Sequence, residues 1–149
     1  MSKKIVRNII IVAVILFGIY NLIWYWGMYR PCLAYEGEFS EFEDSGDYML
    51  IDEEDYQYSV KTPDYLQWTG NLGITNSELS PALIIWVGFG GKVDSTGIMI
   101  KNAADDVEQI ELTQDRKAVY SEQEQLVDSN KSVINDMFER AEKIWSLEI

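Results

Sequence analysis

The sequence predicts an α+β protein in which a single transmembrane helix precedes a small, mostly antiparallel β-sheet domain covered by a C-terminal amphipathic helix. Three observations lead to this fold class. Residues 9–29 form an uncharged apolar run, short β-type runs follow between residues 48 and 113, and an apolar stripe with helical spacing ends the chain. We therefore expect a basic tip with a transmembrane helix (1–30), an acidic juxtamembrane stalk (31–46) and an extracytoplasmic α+β domain (47–149).

The uncharged run at residues 9–29 has the length of a membrane span. As a helix that rises about 1.5 Å per residue, it extends about 31 Å, close to the hydrocarbon core of a bilayer at about 30 Å. A lone segment crosses that core only as a helix, because each backbone N–H and C=O must find its partner within the segment. Its one strongly polar residue, Asn21, is expected to lie near the interface or, alternatively, to bond to a second helix.

The two ends of the run differ in chemistry, and the difference predicts the orientation. Basic residues before the run outnumber the single Arg30 just after it, which by the positive-inside rule keeps the N-terminus in the cytoplasm and the remaining chain outside. Aromatic side chains with a polar edge crowd the far half, where they would lie at headgroup level. A signal peptide cleaved after Ala34 is the alternative to this uncleaved, single-pass signal anchor. The predicted anchor residues are Lys3, Lys4, Arg7, Trp24, Tyr25, Trp26 and Tyr29.

The segment after Arg30 is strongly acidic. It holds all 25 acidic residues of the chain but only eight of the 12 basic ones, so its formal charge is −17. A field of this sign repels phosphates, so we exclude nucleic acid as a partner. It attracts basic proteins and cations, although charge that only keeps the domain soluble would produce the same composition.

The absence of histidine and the presence of one cysteine limit the chemistry. Without histidine the chain lacks the commonest general base near neutral pH and the main nitrogen ligand of zinc, copper and iron. Cys32 has no partner for a disulfide within the chain. It is a candidate intermolecular thiol, with acylation or an ordinary free thiol as the alternatives. We expect no cofactor.

The β-type runs predict five to seven short strands. Residues 48–51 and 56–60 are the first two, and residues 82–89, apolar on both faces, form the predicted central strand. Residues 66–69 and 72–75 are predicted to form a hairpin around Gly70 and Asn71, because glycine reaches the backbone angles of a tight turn without strain. Further strands are expected at 97–100, at 107–113 (with a helix as the alternative) and at 118–120.

The C-terminal tail is predicted to be helical. Ser121 followed three residues later by Glu124 matches a capping box. The apolar stripe that follows is expected to cover one face of the sheet, at about 2 kcal/mol for each large side chain buried, with a heptad seam to another subunit as the alternative. The stripe keeps its phase through residues 128–130, so we predict one continuous helix, with a break there as the alternative. The stripe contains Leu126, Val127, Val133, Ile134, Met137, Phe138, Ala141, Ile144 and Trp145.

Few motifs point to chemistry. The glycine-rich residues 88–92 lack the spacing of a phosphate-binding loop and are interpreted as a hairpin connection. The acidic cluster does not match an EF-hand, which leaves a weak Ca²⁺ site as the one metal hypothesis. That cluster consists of Asp52, Glu53, Glu54 and Asp55. Most aromatic residues after the span are expected in the core, and any exposed ones become candidate contact residues.

We therefore expect a single-pass protein of the cell membrane that presents an acidic, non-catalytic interaction domain outside. Its partners are the lipid bilayer, through the N-terminal helix, and another protein, for which the charge favours a basic one. The alternative is an inhibitor or immunity-type protein that neutralises a basic secreted enzyme. A second alternative is a carboxylate-based hydrolase, since paired carboxylates hydrolyse glycosides without histidine.

Overall fold

The computed structural model describes residues 3–37, 39–41, 47–51, 54, 56–76, 81–102, 104–147 and 149. A long helix near the N-terminus leads into an antiparallel sheet, and helices follow the sheet at the C-terminal end. This order of elements confirms the α+β class.

The apolar N-terminal segment is helical over its whole described length. Helix α1 (Lys3–Trp24) continues through a π-helical turn (Tyr25–Tyr29) into α2 (Arg30–Leu33). Together they form a helix of 31 residues that is long and apolar enough to cross a membrane, judged by length and composition. Of the most apolar stretch of this helix, 6% is buried within the protein.

The sheet is an antiparallel meander in which each strand pairs with the next one along the chain. Local sequence pattern and topology agree, because short runs joined by short connections pair most easily with their neighbours. The described strands are β1 (Ser40–Glu41), β2 (Tyr48–Ile51), β3 (Gln57–Lys61), β4 (Gly70–Thr75), β5 (Ala82–Val87), β6 (Val93–Lys101) and β7 (Val107–Leu112).

One face of the sheet carries the hydrophobic core. Burial alternates along β4 and β5, because successive side chains of a strand point to opposite faces. The C-terminal helix α4 (Lys131–Trp145) packs on this face, as predicted, and contacts β4 and β5. Its buried side chains are Ile134, Met137, Phe138, Ala141 and Trp145.

The hairpin predicted around Gly70 and Asn71 is wrong. Both residues belong to the uninterrupted strand β4, and residues 62–69 form the loop that connects it to β3. Gly70 is required by close packing instead of by a turn. A Cβ atom there would lie 2.4 Å from Sγ of Cys32 and 2.9 Å from the carbonyl oxygen of Lys61.

The C-terminal helical region also differs from the continuous helix that we predicted. Helix α3 (Glu124–Ser129) ends at Asn130, whose Nδ2 donates to the carbonyl oxygen of Leu126 at 2.9 Å, and α4 begins at the next residue. The capping box is wrong as well, because Oε2 of Glu124 accepts the N–H of Ala118 at 2.9 Å. The strand expected at 118–120 is reduced to one bridge between Ala118 and Leu112.

The described part of the predicted stalk packs against the domain. Tyr35 and Phe39 contact the core, and the Tyr35 hydroxyl donates to the carbonyl oxygen of Gly91 at 2.6 Å. Strand β1 then pairs with β2. The chain is thus held against the sheet within a few residues of the end of α2. Residues 38 and 42–46 of this stretch lie outside the described residues.

We expect the variant Phe138→Ala to lower the free energy of unfolding by about 3–5 kcal/mol. Phe138 is 1% exposed and the guanidinium of Arg116 lies 4.5 Å from its ring, so the truncation leaves a cavity and removes a cation–π contact. Urea unfolding of the detergent-solubilised full chain, followed by tryptophan fluorescence, measures the change. The neighbouring exposed variant Glu139→Ala is the control and should stay within about 0.5 kcal/mol of the parent. Equal losses in the two variants would contradict the proposed packing of α4.

Candidate membrane interface

The predicted anchor residues lie near the two ends of the long helix. Lys3, Lys4 and Arg7 are exposed in its first turns. The aromatic anchors surround the π-helical turn, where the helix meets the domain; Tyr25 and Trp26 are 44% and 56% exposed. Nineteen positions separate Arg7 from Trp26, which at about 1.5 Å per residue places the cations and the aromatic group about 29 Å apart.

The side of the helix that faces the domain is buried at its C-terminal end. Trp24 is 8% exposed, Met28 0% and Cys32 1%. In the π-helical turn the N–H of Arg30 bonds to the carbonyl oxygen of Tyr25, five residues earlier. In an α-helix, residues four apart are rotated slightly relative to one another around the helix axis. The wider π-helical turn offsets this rotation, so Trp24, Met28 and Cys32 lie on the same side of the helix.

Asn21, the polar residue of the apolar run, is paired within the chain. Its Nδ2 donates to the carbonyl oxygen of Phe17 at 2.7 Å, and its Oδ1 accepts the hydroxyl of Tyr65 at 2.5 Å. Sequence reasoning missed this pairing, because Tyr65 is 44 positions away on the loop between β3 and β4. The amide therefore serves a contact between the helix and its own domain.

The indole N–H groups of Trp24 and Trp68, at the contact between the helix and the loop, are also paired. Nε1 of Trp24 donates to the carbonyl oxygen of Gln67 at 2.7 Å, and Nε1 of Trp68 donates to the hydroxyl of Tyr20 at 3.2 Å. The exposed aromatic residues among the described ones after residue 30 include Tyr65 and Trp68, at 57% and 42%, and these two contact the helix.

A second loop completes the contact. The ring of Phe89 stacks on Trp68, with centroids 6.5 Å apart, and covers Gly27 on the helix. A Cβ atom at Gly27 would lie 2.1 Å from Cε2 of Phe89, so only glycine permits this approach. We call the loop residues that hold the helix the collar: Tyr65, Gln67, Trp68 and Phe89.

Cys32, the candidate intermolecular thiol, lies beneath this contact. Its Sγ donates to the carbonyl oxygen of Lys61 at 3.6 Å, and it belongs to the core cluster. A disulfide to a second chain would therefore require the junction between helix and domain to open first.

The opposite face of the sheet forms a second candidate surface. Helix α4 packs on the core face, whereas Ile84, Trp86 and Met99 are half-buried on the other face. The indole of Trp86 lies across Gly97, where a Cβ atom would be 2.8 Å from Cζ3. Depressions of about 390 and 160 Å³ adjoin Trp86; Asp94 and Glu111 line the larger one, and the smaller one is lined by both Asp64 and Lys61.

Only one member of the acidic cluster proposed for Ca²⁺ is described. Glu54 forms an ion pair with Arg140, which also bonds to Asp136 at 2.8 Å and lies over the ring of Tyr56. The hydrogen bond with the Tyr58 hydroxyl, together with the two carboxylates, raises the pKa of Arg140, so this cation stays charged and competes with any metal for Glu54. Among the described residues there is no group of three or more potential metal ligands. Asp52, Glu53 and Asp55 lie outside them.

Comparison of the chain with protein-family models, with curated proteins and with solved structures finds no match.

We expect the variant Gly27→Leu to open the junction and to expose Cys32. The new side chain would displace Phe89 from the helix, whereas Gly18→Leu adds the same side chain where nothing lies within 4 Å. The rate of Cys32 modification by a maleimide, measured on the solubilised full chain, should rise several-fold in Gly27→Leu and stay at the parental rate in Gly18→Leu. Rapid modification of the parent protein would contradict the burial of Cys32.

Proposed function

We propose that the chain is a single-pass membrane protein that holds an acidic, non-catalytic binding domain against the outer surface of the cell membrane, with its N-terminus in the cytoplasm. The observation that carries this proposal is a contrast within one helix. Its last turns are buried against the domain, while the apolar stretch before them is bare. An apolar helix of a water-soluble core would be covered along its length, so lipid is the solvent that suits this one.

The distribution of charge supports the orientation. The end of the helix that points away from the domain carries Lys3, Lys4 and Arg7, which favour the cytoplasmic side. The end at the domain carries exposed Tyr25 and Trp26, whose amphipathic rings favour an interface.

Labelling with a membrane-impermeant maleimide tests the orientation. In intact cells, Val107→Cys, at an exposed position of the sheet, should react, whereas Ser2→Cys should react only after the cells are made permeable. Both variants carry Cys32→Ser so that each has one thiol. The reverse pattern would place the domain in the cytoplasm and overturn the proposal.

The face of the sheet opposite α4 is the surface that we propose for a protein partner. Trp86 offers an indole beside a depression lined by Asp94 and Glu111, in a segment of formal charge −17. An aromatic ring next to carboxylates attracts a lysine or arginine side chain both by cation–π interaction and by charge. We therefore propose a basic protein partner.

An inhibitor of a basic secreted enzyme is the second candidate, and the same acidic face favours it. Complementary charge accelerates such an association and makes it sensitive to salt. The two candidates differ in what the partner does, because an inhibited enzyme loses its activity when the domain is bound. A structural partner in the membrane has no such activity to lose.

We expect the variant Trp86→Ala to weaken binding of the basic partner by roughly tenfold, equivalent to about 1.4 kcal/mol. The exposed variant Tyr120→Ala removes a ring elsewhere on the domain and should leave the affinity unchanged. Pull-down with the full chain, at low and then raised salt, should show the basic partner lost as salt increases. A partner that both variants bind equally, and that salt does not release, would contradict this surface.

A further inference from the structure

We infer that the loop between β3 and β4 makes a second contact with the bilayer, in which the exposed parts of Tyr65, Leu66 and Trp68, together with Phe89, enter the interface around the helix. The inference rests on the proposed membrane span and adds the depth at which the domain sits. The domain is then partly embedded in the outer leaflet instead of standing above it.

The hydrogen bonds of the collar set that depth. If the span begins after Arg7 and takes about 20 residues, it ends near Gly27. Asn21 then lies about 9 Å inside this end, at about 1.5 Å per residue. Because Tyr65 bonds to Asn21 at 2.5 Å and Trp68 bonds to Tyr20 at 3.2 Å, these loop side chains lie at the same depth as the helix residues that they contact.

Four exposed side chains of this region are of the types that form interfacial anchors, and they lie beside the exposed polar residues Asp64, Gln67 and Thr69. Tyr65 is 57% exposed, Leu66 40%, Trp68 42% and Phe89 58%. Tyrosine and tryptophan favour the headgroup level, and leucine and phenylalanine favour the acyl chains below it. This surface is continuous with the bare apolar side of the helix, which is why we assign it to lipid and not to a protein partner.

The backbone at Leu66 provides an independent argument. The N–H of Gln67 bonds to the carbonyl oxygen of Asp64 at 2.8 Å, which makes Leu66 the third residue of a turn, and its φ of 67° is positive. Glycine or asparagine is usual there, because a Cβ atom makes the conformation strained. In this strained conformation Leu66 holds a branched apolar side chain at the loop surface. Contact with acyl chains would bury that side chain.

Depth-dependent quenching of a fluorescent label tests the inference on the full chain in phosphatidylcholine vesicles. An NBD label is attached to Leu66→Cys, to Val107→Cys or to Leu16→Cys, each with Cys32→Ser, and lipids carry a nitroxide either at the headgroup or along the acyl chain. Val107 is the matched control: at 55% it is similarly exposed, and it pairs with Lys101, eight residues and about 26 Å along β6 from the end next to Phe89.

We expect the Leu66 label to be quenched several-fold more than the Val107 label by shallow nitroxides, and the Leu16 label to be quenched most by deep ones. If Leu16 is quenched but Leu66 equals Val107, the loop contact is overturned and the membrane span stands. If Leu16 is not quenched, the span and the loop contact are both overturned. A blue-shifted Leu66 label without quenching would mean that protein covers the loop, which also overturns the lipid contact.

Discussion

The packing of Trp24, Met28 and Cys32 against the sheet domain is the contact on which the rest of the structure depends. Burial of large apolar side chains contributes about 1.5–3 kcal/mol each, which offsets much of the conformational entropy that is lost when the short connection after α2 is ordered. The orientation of the domain relative to the helix is consequently fixed. A flexible stalk would have let the domain face in any direction, whereas this junction fixes which loops point along the helix.

The polar groups at the junction are paired in a way that suits an apolar environment. An unpaired amide or indole N–H away from water costs free energy; the collar supplies partners for Asn21 and Trp24, and Tyr20 on the helix supplies one for Trp68. The same pairs fix the position of the loop between β3 and β4 along the helix. The hydrogen bond from Tyr65 therefore explains why polar Asn21 occurs inside the apolar run, and no second helix is needed to pair it.

Local pattern predicted much of the fold, because alternation and helical spacing record which side of an element is buried. The strands β2, β3 and β7, the core of β5 and the covering stripe of α4 follow from it. The junction does not, because its contacts join residues far apart in sequence. Gly70 is a packing position only because Cys32 lies against it, and Gly27 only because Phe89 covers it. Turn chemistry suggested a hairpin at Gly70, and nothing local distinguishes the two roles of glycine.

The meander has a consequence for how the protein is made. Each strand needs only the strand before it, so the sheet can form in the order in which the chain is synthesised, and such local pairing favours rapid folding. The helix that closes the core, α4, follows all the described strands in the chain. Until α4 has been synthesised, Leu72, Ile85 and Ile98 lack its cover, and that surface is open to aggregation and proteolysis. Quality control of this protein therefore depends on α4.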